Sequence, residues 1–148
     1  MRKQLITLGA AAIVVAAASS LTAGTATASA AAGKILEATC SPSGTGYRAE
    51  LKVYYRPSNG KDRIRKLGFA VRGGSSLGQS NSVRLRIISG NRILLSRAFP
   101  GNVPKNTTRM TNVSLDVPYA TKWYGENLTT FNRRGGNDPV CRAETGKA

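Results

Sequence analysis

The chain has 148 residues, of which 22 are Lys or Arg, 7 are Asp or Glu and none is His, so its formal net charge is +15. The absence of His excludes every nucleophile arrangement that depends on an imidazole base and removes the most common metal ligand. Two Cys without any His are too few soft ligands for a structural zinc site, and the sequence predicts neither a metal nor another cofactor.

The N-terminal segment has the pattern of an export signal. Residues 1–4 are positive, residues 5–18 are apolar, and Ala28-Ser29-Ala30 is a small-x-small site. This order predicts a cleavable secretory signal peptide over residues 1–30. A membrane anchor is the alternative, but a spanning helix needs roughly 20 apolar residues, more than are present. Residues 31–148 are therefore expected to form one secreted, extracellular domain that does not span a membrane.

The mature domain contains both cysteines and most of the positive charge. Removing Arg2 and Lys3 from the formal charge of +15 leaves +13, which favours polyanionic partners, although a solvated surface that only maintains solubility is the alternative. Cys40 and Cys141 lie near the two ends of the domain, and in an oxidising compartment such a pair predicts one disulfide. The alternative is two separate buried thiols.

The sequence pattern of the first half of the domain predicts β-strands. Residues 35–40 are a candidate short strand, and residues 47–56 alternate between apolar and polar side chains. Asn59-Gly60 then predicts a hairpin turn, with the returning strand ending at Arg72. Ile64 breaks the inward parity of this returning strand, which predicts either a bulge or a hairpin tip that protrudes past the core.

The second half continues the alternation, with turn residues between the segments. Pro100-Gly101-Asn102 is expected to end one strand and Pro118 another. Strands are predicted over residues 83–88, 92–99, 107–117, 123–132 and 140–143. Six to eight short strands predict an all-β fold, a small antiparallel β-sandwich of the immunoglobulin-like or jelly-roll-like kind, with a small barrel as the alternative.

A cluster of positive side chains near the predicted hairpin tip is the first candidate site. Guanidinium groups bind sulfate, phosphate and carboxylate because their planar fork donates two hydrogen bonds. The alternative is an edge hairpin whose charges prevent pairing with other chains. The cluster consists of Arg56, Lys61, Arg63, Arg65 and Lys66.

A second set of cations points outward from the predicted strands. If these strands share one sheet, its face is a basic stripe that would bind an extended polyanion with strongly salt-dependent affinity. The set consists of Arg48, Lys52, Arg84, Arg86 and Arg92.

Aromatic residues form the third candidate site. Tyr119, Trp123 and Tyr124 surround Lys122, and such rings can stack on sugars or bases with a cation beside them. The alternative places the single Trp in the core.

The carboxylates are few and are expected to balance nearby positive charge rather than to catalyse. This applies to Glu50 and Asp62, which have Arg and Lys neighbours. The sequence thus predicts a secreted, non-enzymatic binding protein for anionic polymers at or near a cell surface, such as a cell-wall polymer, an acidic polysaccharide or a nucleic acid. One alternative is an effector that binds an acidic protein, either an enzyme inhibitor or a small antimicrobial protein. The other is a glycan-directed enzyme, which requires only two carboxylates close in space.

Overall fold

The computed structural model describes residues 32–148, so the predicted signal peptide over residues 1–30 lies outside the described residues. The described chain forms eight β-strands, most of which contain the apolar alternation or short apolar run from which strands were predicted. Their bounds are β1 Lys34–Cys40, β2 Arg48–Ser58, β3 Lys61–Arg72, β4 Asn81–Ser89, β5 Arg92–Val103, β6 Thr107–Pro118, β7 Tyr124–Thr130 and β8 Val140–Glu144.

The strands form two four-stranded antiparallel sheets. The first sheet has the order β1-β2-β3-β6 and the second has the order β5-β4-β7-β8. This confirms the predicted all-β fold, a small antiparallel β-sandwich. Within residues 32–148 no helix is long and apolar enough to cross a membrane.

The core fills the space between the two sheets. Alternate residues of each strand face inward, among them Leu51 and Val53 of β2 and Leu85 and Ile87 of β4, all at most 1% exposed. The opposite faces of the same strands are partly or fully exposed to solvent at most positions, as period-two alternation predicts.

The hairpin between β2 and β3 follows the prediction closely. Asn59 and Gly60 both have positive φ, 50° and 71°, as the two central residues of a type I′ turn require. Beyond the turn, Tyr55 pairs with Ile64 but Tyr54 pairs with Lys66, so Arg65 is the extra residue of a β-bulge. The bulge restores Ile64 to the core, where it is fully buried.

The predicted end of β5 is wrong. The strand does not stop before Pro100 but continues to Val103. Val83 pairs with Phe99 whereas Asn81 pairs with Val103, so residues 100–102 of β5 lie opposite the single residue Ser82 of β4. The register therefore shifts here, on an edge strand. An edge strand tolerates Pro there because the missing N–H would face away from the partner strand.

The predicted disulfide is present between Cys40 and Cys141, whose Cα atoms are 6.0 Å apart. It joins β1 to β8, which are edge strands of different sheets, and so closes one side of the sandwich. A disulfide of this kind is compatible with an extracellular protein.

A close approach between the sheets makes Gly125 of β7 intolerant of a side chain. A Cβ atom at Gly125 would lie 2.6 Å from Cγ2 of Val53 and 3.1 Å from Cδ2 of Leu51. We expect Gly125→Ala to lower the free energy of unfolding by about 1–3 kcal/mol, as overpacking of a core does. Urea denaturation tests this, with Gly74→Ala as the control because a Cβ at Gly74 meets no atom within 4 Å. Equal stability of the two variants would contradict the expected clash.

Candidate functional site

An open cleft of about 540 Å³ lies where β1 begins beside the β2–β3 hairpin. Four of its lining residues are cations, and no carboxylate within the described chain lines it. We call it the basic cleft. Its lining residues are Gly33, Lys34, Ile35, Tyr54, Tyr55, Arg56, Ser58, Arg63 and Arg65.

The sheet register concentrates positive charge in this cleft. Arg56 of β2 and Arg63 of β3 are directly opposite each other, and the bulge adds Arg65 beside them. Like charges that face each other across neighbouring strands repel, so this arrangement costs folding free energy unless an anion lies between them. In addition, Nε of Arg63 is buried and has no hydrogen-bond partner within residues 32–148. A buried donor without a partner is unusual in folded proteins, but Nε of Arg86 on the other sheet is in the same state, so this feature is not specific to the basic cleft.

One carboxylate pairs with a cleft cation. Arg65 Nη2 donates a 2.6 Å hydrogen bond to Oδ1 of Asp116 on β6. This bond, followed by the positive charges of Arg65, Arg63 and Lys61, holds the pKa of Asp116 below its usual range despite partial desolvation. Asp116 therefore stays ionised at neutral pH and forms an ion pair with the Arg65 guanidinium.

Asp62 does not balance the hairpin cations, and that prediction is wrong. Its side chain points into the core, is 8% exposed, and accepts a 2.9 Å hydrogen bond from Nε1 of Trp123. Arg56, Lys61 and Arg63 consequently have no ion-pair partner within the described residues.

The other end of the same sheet face is neutralised by ion pairs. Lys52 pairs with Glu37 at 2.7 Å, and Glu50 pairs with both Arg48 and Arg72. The hydrogen bond to Glu37 is also the main reason that the pKa of Lys52 is raised. Positive charge without a partner is thus concentrated at the hairpin end and does not extend along the whole face.

The remaining predicted cations lie on the opposite side of the sandwich. Arg84 and Arg86 belong to β4 and Arg92 to β5, in the second sheet, so the condition for one continuous basic stripe is not met. Arg86 is itself paired with Glu126, 3.3 Å away. Of the ten predicted cations, the structure brings three into the basic cleft (Arg56, Arg63 and Arg65), with Lys61 and Lys66 nearby on β3.

The three aromatic candidates differ in their exposure to solvent. Trp123 is fully buried and packs edge-to-face against Tyr55, with ring centroids 5.2 Å apart, so the prediction that it stacks on a ligand is wrong. Tyr119 is 52% exposed and Tyr124 is half-buried, so both keep surface for contact with a ligand.

Sequence reasoning missed six lining residues of the basic cleft: Gly33, Lys34, Ile35, Tyr54, Tyr55 and Ser58. Lys34 and Ile35 enter because β1 pairs with β2 so that Lys34 is opposite Tyr55 and Ile35 opposite Tyr54. The alternation of β2 does show that Tyr54 points outward, but the residues beside it depend on strand pairing.

The structure also shows which carboxylates are close together. Glu126 and Glu144 are opposite each other on β7 and β8, and both contact the guanidinium of Arg142. Glu126 is almost fully buried. Within residues 32–148 there is no group of three or more His, Cys, Asp or Glu side chains that could hold a metal ion.

Comparison of the chain with protein-family models, curated proteins and solved structures finds no significant match.

Proposed function

We propose that the mature domain is a secreted, non-enzymatic protein that binds anionic polymers at or near a cell surface through the basic cleft. One observation carries the proposal: Arg56 and Arg63 face each other without a carboxylate between them, in a cleft that Lys34 and Arg65 also line. A sulfate, phosphate or carboxylate group between the two guanidinium groups would replace their repulsion by charge-assisted hydrogen bonds.

The cleft also offers apolar contact beside the charge. Ile35 is 50% exposed, and Tyr54 lines the same cleft on the outer face of β2. A sugar ring or another flat group carrying the anion can pack against these side chains. This combination favours an anionic group attached to a polymer unit over a free inorganic ion.

Charge reversal at Arg56 tests the proposal. We expect Arg56→Glu to weaken binding to the preferred polyanion by about 10–100-fold, because hydrogen bonds to charged groups contribute roughly 1.5–3 kcal/mol each. The measurement is binding of the oxidised mature protein to heparin, DNA, a cell-wall preparation and anionic vesicles, each across a salt series. Arg134→Glu is the matched control, because Arg134 is exposed in the loop between β7 and β8, at the other end of the sandwich.

The outcomes separate the three functional classes. If Arg134→Glu weakens binding as much as Arg56→Glu, or if all four ligands dissociate together at low salt, the charge is nonspecific. A single protein partner whose complex survives high salt would instead favour the effector. Turnover of a glycan that is abolished by Glu126→Gln or Glu144→Gln would favour the enzyme.

Removing the carboxylate of Asp116 should have the opposite effect. Asp116→Asn frees Arg65 and removes a negative charge from the edge of the basic cleft. We expect polyanion affinity to increase by about two- to fivefold at low salt, the range of an exposed ion pair. Asp138→Asn makes the same change in charge at the other end of the domain, and Asn can still accept the bond from the Arg133 N–H. Equal gains from both variants would show that only net charge matters.

A further inference from the structure

A second open cleft, of about 900 Å³, lies at the end of the sandwich beyond the β2–β3 hairpin. It is formed by the β4–β5 turn, residues 120–122 between β6 and β7, and the C-terminal residues after β8. Its lining is mainly polar and includes Asn91, Thr121 and Tyr124, with Lys122 and Lys147 as cations and Glu144 as the one carboxylate. We call it the polar cleft.

The two clefts are neighbours. Ser58 lines the basic cleft. It pairs with Lys61 on β3, and Lys61 pairs with Pro118 on β6, so these three residues lie in one row across the sheet. Neighbouring strands are about 4.8 Å apart, so Pro118 lies roughly 10 Å from Ser58. Ala120, two residues further along the chain, already lines the polar cleft. The separation between the lining residues is therefore at most about 17 Å, because two residues span no more than ~7 Å.

Lys61 and Tyr119 lie between the lining residues of the two clefts, and we call this pair the Lys61–Tyr119 ridge. The backbone N–H of Tyr119 donates a 3.1 Å hydrogen bond to the carbonyl of Gly60, which holds the start of the β6–β7 loop against the hairpin tip. The Tyr119 side chain is 52% exposed, and Lys61 is exposed without an ion-pair partner within residues 32–148. An exposed ring and an unpaired ammonium group on this ridge are suited to contact a chain that passes over it.

We infer that the ligand is an acidic polysaccharide whose chain occupies both clefts and crosses the Lys61–Tyr119 ridge, an inference that rests on the proposed function of the basic cleft. Acidic groups bind between Arg56 and Arg63. Sugar hydroxyls bind the amide of Asn91 and the hydroxyl of Thr121, and the ring of Tyr119 packs against a sugar face between the two clefts.

The lining of the polar cleft favours a glycan over a nucleic acid. The cleft has five neutral hydrogen-bonding side chains against three charged ones, and amide and hydroxyl groups are suited to sugar hydroxyls. The neutral ones are Ser89, Asn91, Thr121, Tyr124 and Thr145. A strand of DNA has no free hydroxyl groups along its chain to pair with them. An acidic polysaccharide has many hydroxyl groups between its charged groups and can place hydroxyls in this cleft.

Chain length provides the test. The oxidised mature protein is titrated with hyaluronan disaccharides, which carry a single carboxylate each, and with hyaluronan oligosaccharides long enough to span more than ~17 Å. Occupation of both clefts by one chain predicts at least about tenfold tighter binding of the long chains per molecule, because the second contact becomes intramolecular. The double variant Lys122→Ala/Tyr119→Ala, both surface positions, should lose most of this gain and leave disaccharide binding unchanged. Arg134→Ala is the control for loss of one positive charge.

Failure of this inference is distinguishable from failure of the proposed function. If disaccharides and long chains compete at the basic cleft, but the double variant keeps the full gain from chain length, the polar cleft is not part of the site and the inference is overturned. A single-stranded DNA of equal length showing the same gain and the same loss would overturn the assignment to a polysaccharide. If Arg56→Glu affects neither disaccharide nor long-chain binding, the basic cleft itself is not the site.

Discussion

Replacing Cys40 and Cys141 together by Ala is expected to lower the free energy of unfolding by about 4–5 kcal/mol. The two cysteines are 101 residues apart, and the chain-entropy account gives about 4.7 kcal/mol for a closed loop of ~100 residues. Domains of this size are stable by only about 5–15 kcal/mol in total, so the loss amounts to roughly a third or more of the stability. The loss should be visible as a large decrease in the urea midpoint.

Reduction of the wild-type protein separates the crosslink from the side chains. Denaturation is measured for the oxidised wild type, the wild type in reductant, and the double variant with and without reductant. We expect the reduced wild type to resemble the variant and the variant to be insensitive to reductant. If reduction leaves the midpoint of the wild type unchanged, the disulfide does not contribute to stability as inferred.

The crosslink also bears on the basic cleft. Cys40 ends β1, an edge strand whose other end supplies Lys34 and Ile35 to the cleft. An edge strand has a hydrogen-bonded neighbour on one side alone, so fraying is expected to begin there once the crosslink is lost. Polyanion affinity of the double variant, measured under conditions where it remains folded, is therefore expected to be lower than that of the wild type.

Local pattern was sufficient to predict most of the strands. Inward-facing residues of β2, β3 and β4 are almost fully buried, which leaves little tolerance for a polar side chain and makes the alternation clear. The Asn59-Gly60 turn follows from the positive φ that both residues tolerate. The displaced parity of Ile64 predicted either a bulge or a protruding tip, and the structure has the bulge. These features depend on residues close together in sequence.

The pairing of distant strands could not be predicted in this way. The connections from β3 to β4, from β5 to β6 and from β6 to β7 each cross from one sheet to the other, and nothing in the alternation shows which turns do so. From the alternation alone, Arg84 and Arg86 are therefore compatible with a shared basic face, although they lie on the opposite one. For the same reason, the position of Lys34 in the basic cleft became apparent only from the register of β1 on β2.

The role of Trp123 is another consequence of long-range packing. Its indole N–H donates to Asp62, 61 residues away, and its ring packs edge-to-face on Tyr55, which lines the basic cleft. Burial, followed by the nearby charge of Asp62, raises the pKa of Tyr55, so this side chain stays neutral at physiological pH. Trp123 thus supports the inner wall of the basic cleft from within the core.

Substitution of Trp123 should therefore affect stability and binding together. Trp123→Ala is expected to cost about 3–5 kcal/mol of unfolding free energy, because it leaves a large cavity. Trp123→Phe keeps much of the ring volume but leaves the Asp62 carboxylate without its donor, at an expected cost of about 1–3 kcal/mol. Part of that cost should be recovered in Trp123→Phe/Asp62→Asn, because a neutral amide is cheaper to bury than an unpaired carboxylate.

Urea denaturation of these three variants measures the stability changes, and Tyr119→Phe serves as an aromatic control at an exposed position. Heparin affinity is then measured for the folded variants, where loss of the contact with Tyr55 is expected to weaken binding. Wild-type stability in Trp123→Phe would show that the bond to Asp62 contributes nothing. Unchanged heparin affinity in a folded Trp123→Ala would show that the core does not position the wall of the basic cleft.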